Sequence, residues 1–334
     1  MVSYKDKKVI NLLSLKYNFS FEEALKYIEE FEKNKKRQSV EYNGMELLFA
    51  ILLKYPEVND VPSLWLLLEN DTSVTSNISF NTTDDFKSYV EDLQRKKQLV
   101  NKYIVNFRKN AHLLPALSAI EKVYLSGKKN KHDEIDSINK GLGKKEAKAD
   151  VYIKLLSGEF VGFSVKQSKS ATKSNYSVQK MFGTETDHKL TETRHKFLNE
   201  NGIVDFQKSQ RSKVNELFYP KNTNNPYWDE VKKQITENKK TLSTKIVSYL
   251  YSATVPYDMY EFDGENIYKL NKVVNADSVV FEEHTPYYYD SKGKLRRAAK
   301  LFYRLEVEDK KFRVEVRWKG DVYNSSPQFQ LHEE

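Results

Sequence analysis

Apolar residues in the first third of the chain recur at helical spacing, while those of the last quarter alternate with polar ones. Ser20-Phe21-Glu22-Glu23 has the form of a capping box, with Ser20 as N-cap and Glu23 three residues on. The stripe Phe21, Ala24, Leu25, Ile28 and Phe31 behind it predicts a helix. A second helix is predicted over Asn43–Lys54, stopping before Pro56. Leu64–Leu68 is too short a run to type by period. The Ser-, Thr- and Asn-rich stretch 70–85 reads as a loop. A third helix, 85–108, is marked by Phe86, Tyr89, Val90 and Leu93, and LLPALSAIEKVYL (113–125) reads as a fourth, with Pro115 in its first turn.

The pattern changes at 148–168, KADVYIKLLSGEFVGFSVKQS, which reads as two short strands joined at Ser157-Gly158. Side chains two apart on a strand share a face. Val161, Phe163 and Val165 are thus predicted to face a core, and Phe160, Gly162, Ser164, Lys166 and Ser168 an open surface. A loop is expected over 167–175, a short helix over 176–181, and helices over 191–198 and 227–238; 245–254 fits a strand or a buried helix. Strands are predicted at 267–273, 278–283, 299–308 and 312–318, the last two forming a hairpin. Within it Val314, Val316 and Trp318 share one face and Arg313, Glu315 and Arg317 the other. The order of elements predicts an α/β (α+β) fold, with a helical region over 1–110 and a mixed domain over 111–334 whose C-terminal part is rich in strands.

Composition narrows the function. The 334 residues carry a formal charge of +8, which favours a polyanionic partner. There is no cysteine, which excludes disulfides, thiolate zinc sites and a cysteine nucleophile. The opening MVSYKDKKVINLL has no apolar signal-peptide core and no run approaches a membrane span, so a cytoplasmic protein without membrane contact is expected. The six histidines show no paired metal-ligand spacing. Neither a P-loop nor G-x-G-x-x-G is present, so no nucleotide cofactor is expected, and no G-x-S-x-G elbow suggests a hydrolase of that class.

The chemistry concentrates in the strand pair. Phosphodiester hydrolysis needs an activated water and neutralisation of phosphoryl charge, which a divalent metal held by carboxylates beside a lysine can supply. Asp150, thirteen intervening residues and then Ser164-Val165-Lys166 resembles the PD-(D/E)XK nuclease signature in its restriction-endonuclease form. The approach GKKEAKAD, the hairpin turn and the polar SVKQS ending fit it, and the resemblance covers about residues 115–185. It implies a mixed central sheet flanked by helices, Mg²⁺ (with Mn²⁺ as substitute), Asp150 as metal ligand, Val165 lending its backbone carbonyl to the metal, and Lys166 as catalytic lysine. The departure is Ser164, where the family usually has Glu or Asp; some restriction enzymes with Ser-Val-Lys draw the missing acid from a neighbouring helix. The resemblance then points to Glu121, on the predicted preceding helix, with Glu185 or Gln179 as alternatives.

The implied activity is that of a type II restriction endonuclease cutting double-stranded DNA at a short specific sequence, as a homodimer if the site is palindromic. A structure-selective or repair endonuclease of the same fold, such as a junction resolvase, is the nearest alternative. A non-catalytic DNA-binding protein with an eroded nuclease core is the second. Expected DNA contacts are Lys169, Ser170, Thr172, Lys173 and Asn175 after the catalytic lysine, and Arg296, Arg297, Arg313, Arg317 and Lys319 on the basic C-terminal surface.

Overall fold

The computed structural model describes residues 20, 22–23, 42–69, 71–80, 83–126, 132–142, 149–168, 171–220, 225–271, 273–275 and 278–334. It is a mixed α/β protein with helices dominating the N-terminal part and strands the C-terminal part, as the patterning predicts. Two compact units are formed, one by residues 1–140 with 149–165 and the other by 141–148 with 166–334. The hairpin thereby goes with the N-terminal helices. At the chain's start the capping box forms: the Ser20 N–H donates to Glu23 at 2.8 Å and the Glu23 N–H to Ser20 Oγ at 3.3 Å. The apolar stripe behind it lies outside the described residues.

The first unit is built around helix α1, Gly44–Lys54. Residues 47–53 are at most 1% exposed, and a helix apolar all round has to be covered on every side. After it come α2 (Val61–Glu69), α3 (Asp71–Asn77), the short strand β1 (Ile78–Ser79), α4 (Thr83–Arg95) and α5 (Lys97–Asn110). Packing against α4 requires Gly44: a Cβ there would lie 2.3 Å from the backbone nitrogen of Leu93. The predicted loop at 70–85 instead contains α3 and β1, because Val74 and Ile78, four apart in a polar stretch, are both fully buried. The predicted third helix is two, broken at Lys96, whose ammonium reaches Asp92 at 2.6 Å and Asn43 at 2.9 Å.

The predicted helix at 113–125 is not one. Leu114, preceding Pro115, is extended, as its steric clash with the proline ring demands, and after a 3₁₀ turn at 117–119 the chain enters strand β2, Ile120–Leu125. Pairing on both sides outweighs helical spacing here: β1 lies parallel to β2, and β3 (Val151–Leu155) antiparallel to it. A short helix α6 (Asp133–Ile138) falls between them in the chain. β3 then turns into β4, Phe160–Val165, in antiparallel register. The turn is the one predicted: Gly158 has φ +87°, and the Leu155 N–H donates to the Glu159 carbonyl at 2.8 Å.

In the second unit β5 (Thr172–Ser177) leads into α7 (Val178–Phe182), α8 (Thr184–Glu200), α9 (Arg211–Leu217), α10 (Pro226–Glu237) and α11 (Lys239–Leu250). A hairpin of β6 (Asp258–Phe262) and β7 (Ile267–Lys269) follows, then β8 (Val280–Glu283), β9 (Lys300–Val307), β10 (Lys310–Arg317) and β11 (Gln328–Glu333). The antiparallel sheet runs β5-β11-β10-β9-β8. The loop expected over 167–175 is partly β5, which finds its partner 150 residues on in β11, a pairing that no local pattern announces. Residues 245–254 resolve to the end of helix α11, and the strand expected over 267–273 stops at Lys269. Beside the sheet, Phe218, Tyr227, Trp228 and Trp318 pack ring to ring at 5.0–6.4 Å. Asn225 caps α10 through the Tyr227 and Trp228 N–H groups.

Candidate active site

Asp150 stands one residue before β3, with its backbone held on both sides: its N–H donates to the Phe163 carbonyl at 2.7 Å, and its carbonyl accepts from the Ser126 N–H at 2.9 Å. Its carboxylate turns to the last residue of β4, accepting from the Val165 N–H at 2.8 Å. The sixteenth and first residues of the signature are therefore brought together by the hairpin. Val161, Phe163 and Val165 are buried as predicted, Phe163 against Phe49 of α1 with ring centroids 5.1 Å apart.

The other face of β4 departs from expectation. Gly162 and Ser164 were expected to look onto an open surface, yet both are buried, Ser164 to 2% exposure. By register Gly162 lies opposite Tyr152, and residues 132–139 cover that face: Asn139 donates to the Tyr152 hydroxyl at 3.0 Å, and His132 packs edge-on to Tyr124. Ser164 is small because this side too is packed. Lys166 follows β4 directly and belongs to the second unit; it is half-buried, and its N–H donates to the Phe262 carbonyl at 2.8 Å.

Glu121 is on strand β2 and not on a helix. In the register, Leu125 pairs with Val151 and Ile120 with Leu155, so Glu121 lies at the turn end of β3, about 13 Å along the strand from the Asp150 end at about 3.3 Å per residue. Its carboxylate meets Lys154 at 4.0 Å, in a surface group that also joins Lys154 to Glu134 at 3.1 Å. Glu185 is an exposed residue in the first turn of α8, ion-paired with Lys189 at 3.0 Å. Gln179, exposed on α7, donates to Thr184 Oγ1 at 3.4 Å.

Glu46 and Asp85 are acids of the first unit that share with Asp150 an electrostatic influence on one ring, that of Tyr89. The C-terminal residue of α1, Lys54, donates to the Ile120 and Glu121 carbonyls at 3.2 and 3.1 Å. This anchors the C-terminus of the helix at the Glu121 end of β2. The 11 residues of α1 span about 16 Å at 1.5 Å each, so its first turn, with Glu46, lies about that far from the Lys54 anchor. Burial first, and then the charges of Glu46, Asp85, Tyr42 and Asp150, push the Tyr89 hydroxyl's pKa well up, so Glu46, Asp85 and Asp150 all lie within reach of one buried ring. Asp85 is engaged by the Tyr42 hydroxyl at 2.5 Å, and Asp92 by the Gly44 N–H at 2.7 Å. In sequence Glu46 is disguised as a cap partner, three residues after N-cap Asn43, which does donate to it at 3.0 Å.

Among the expected DNA contacts, Lys169 and Ser170 lie outside the described residues. Lys173 is buried, with its ammonium 2.7 Å from Glu261 and 3.2 Å from Glu333. Burial works to lower its pKa, but Glu261, then Glu333 and Asp263, push it up, so it is a structural cation spent inside the protein. Thr172 and Asn175 are half-buried in β5 opposite His332 and Gln330. Arg296, Arg297 and Lys319 are exposed; Arg313 and Arg317 are half-buried and flank Glu315 at 3.3 and 3.6 Å.

Among the described residues no group of three or more His, Asp or Glu side chains converges as a ready-made metal cage, and no helix is long and apolar enough to cross a membrane. No family model, curated protein or solved structure matches the chain.

Proposed function

We propose that the protein is a Mg²⁺-dependent endodeoxyribonuclease acting on double-stranded DNA, with Asp150 and Glu46 as its carboxylates and Lys166 as its catalytic lysine. The observation that carries this reading is the meeting of the signature's two halves, the Asp150 carboxylate on the Val165 N–H. Two carboxylates and a backbone carbonyl are hard oxygen donors, and Mg²⁺ is held by one or two carboxylates while keeping several waters, so the donor set fits that ion. Asp150, Glu46 and the Val165 carbonyl would hold it, and when bound it supplies charge neutralisation at the phosphoryl oxygens and an acidified water. Glu46 would supply, from α1, the second carboxylate that Ser164 does not.

Lys166 positions the attacking water and adds positive charge beside the phosphate. The water gives up a proton to solvent as its oxygen bonds to phosphorus, the bond from phosphorus to the leaving sugar oxygen breaks, and that oxygen takes up a proton from solvent. The +8 charge of the chain supports a DNA substrate. Cleavage at a specific short sequence, by a homodimer, is the form of activity that the resemblance suggests. The same Asp150–Val165 hydrogen bond would also serve as a plain strand clamp in a DNA-binding protein without catalysis, and activity separates the two. Unmethylated plasmid and phage DNA incubated with Mg²⁺ should give discrete fragments, and none with EDTA. Asp150→Ala, Lys166→Ala and Glu46→Gln should each lower the rate at least about a thousandfold, on the order of 4 kcal/mol. Full activity in Asp150→Ala or Lys166→Ala would falsify the assignment, and full activity in Glu46→Gln would remove Glu46 from it. Cutting of branched but not linear DNA would favour a resolvase.

A further inference from the structure

In the second unit a cavity of about 200 Å³ opens between α9, the approach to β9 and the segment following β10. Its wall carries Arg211, Lys300, Arg317 and Lys319, together with Asn215 and Trp318, and no acidic residue lines it. Asp321, between the lining Gly320 and Val322, accepts from the Asn324 N–H at 2.7 Å, and Glu315 is shared by Lys300 at 2.8 Å, Arg313 at 3.3 Å and Arg317 at 3.6 Å. One negative charge therefore serves three positive ones. Arg211 and Lys319, both exposed, have no ion pair among the described residues and add to the excess. Such crowding is repulsive when the cavity holds only solvent and is relieved by an anion. Trp318, 6% exposed and packed 5.0 Å from Trp228, makes a rigid part of the wall. The volume equals about six or seven waters at about 30 Å³ each, and is less than the roughly 300–1,000 Å³ of pockets that enclose whole small molecules. It suits one anionic group of a larger ligand.

We propose that this cavity is a phosphate pocket that grips one backbone phosphate of bound DNA through Arg211, Arg317 and Lys319. The proposal rests on DNA being the partner and adds the place where a phosphate is held; it does not depend on catalysis. Lys300 stays with Glu315 and shapes the wall. Arg211 and Lys319 are the useful positions to change, since neither holds the fold together through an ion pair.

The test is anisotropy of a labelled duplex in EDTA between about 50 and 200 mM salt, comparing wild type with Arg211→Gln/Lys319→Gln. The double variant should bind about tenfold more weakly, and the slope of log K against log salt should fall by about one or more. Lys189→Gln/Lys311→Gln, two exposed lysines elsewhere in the second unit, is the charge-matched control and should change both quantities much less. Equal effects in the two double variants, an unchanged slope, or a wild type that binds no duplex would each overturn the proposal. Calorimetric titration with inorganic phosphate separates the source: phosphate binding lost in the variant while DNA binding is untouched would make this a free-phosphate site and overturn the DNA assignment. Cutting in Mg²⁺ is scored apart. Preserved cleavage with an unchanged slope sinks the pocket alone, and a changed slope without cleavage under any condition sinks the nuclease reading alone.

Discussion

The β3–β4 hairpin and the β9–β10 hairpin follow the same alternation rule and end in different surroundings. In β10, Phe312, Val314 and Val316 are at most 2% exposed, while Lys311 on the opposite face is exposed and Arg313 and Arg317 are half-buried. In β4, residues 161–165 are buried on both faces. The difference lies in what alternates with the apolar side chains. Charged residues can be buried only at high cost, so apolar-charged alternation marks a boundary with water. Gly and Ser are cheap to bury, so apolar-small alternation marks a second packed layer, here the 132–139 segment over Tyr124 and Tyr152. Glu315 tests the rule from the other side: it is 5% exposed on the charged face because Lys300, Arg313 and Arg317 close over it.

The largest effect should come from the buried hairpin. Phe163→Ala removes a fully buried ring that packs on Phe49, and should cost about 3–5 kcal/mol in urea unfolding. A cost near zero would mean that the Phe163 face of β4 is not packed on α1. Next comes Glu315→Ala, which leaves three cations around an emptied site and should cost about 3 kcal/mol at pH 7. Its pH dependence has a definite sign. Burial works to raise the Glu315 pKa, but the Lys300 hydrogen bond and charge, then Arg313 and His332, hold it below the ordinary 4.5. The folded value is depressed, so the stabilisation is complete above the unfolded value and is lost as pH falls through the folded one. The gap between wild type and Glu315→Gln should therefore close on acidification, and a gap that widens would contradict the ion-pair arrangement.

Ser164→Asp sets the packed face against the proposed metal site. In EDTA a new carboxylate at a position 2% exposed should cost about 2 kcal/mol. With Mg²⁺ the variant's melting temperature should recover more than that of wild type, because the added acid lies two residues from Lys166 where the resembled signature carries its own. Equal shifts in both proteins would argue against a cation at this end of the hairpin.

What could be read in advance divides along the same line. The α1 helix, the Ser20–Glu23 box, the Ser157-Gly158 turn and the inward faces of β4 and β10 are all local patterns, and each has the predicted form. The misses depend on distant partners. Ile120–Leu125 becomes a strand because β1 and β3 flank it, Thr172–Ser177 because β11 lies beside it, and Lys173 is internal because Glu261 and Glu333 converge on it. In the candidate site the predicted hairpin already brings Asp150 to the end of β4, where its carboxylate accepts from the Val165 N–H. Glu46 was not singled out, because its sequence position, three residues after N-cap Asn43, reads as a cap partner and its shared influence with Asp150 on Tyr89 depends on tertiary packing.

The smallest effect closes the comparison from the wet side. Lys311 alternates with Phe312 as Gly162 alternates with Phe163, but its side chain is 57% exposed and meets Glu306 only at 3.8 Å. An ion pair so exposed is screened and gains little over the entropy of holding two long side chains. Lys311→Ala should therefore change stability by less than about 0.5 kcal/mol, against several for Phe163→Ala. Gly162→Ala is the matched change in β4: one methyl group added where both faces are packed should cost about 1–3 kcal/mol. If the two alanine variants unfold at the same denaturant concentration as wild type, the small residues of β4 face solvent as the charged ones of β10 do, and the contrast between the hairpins disappears.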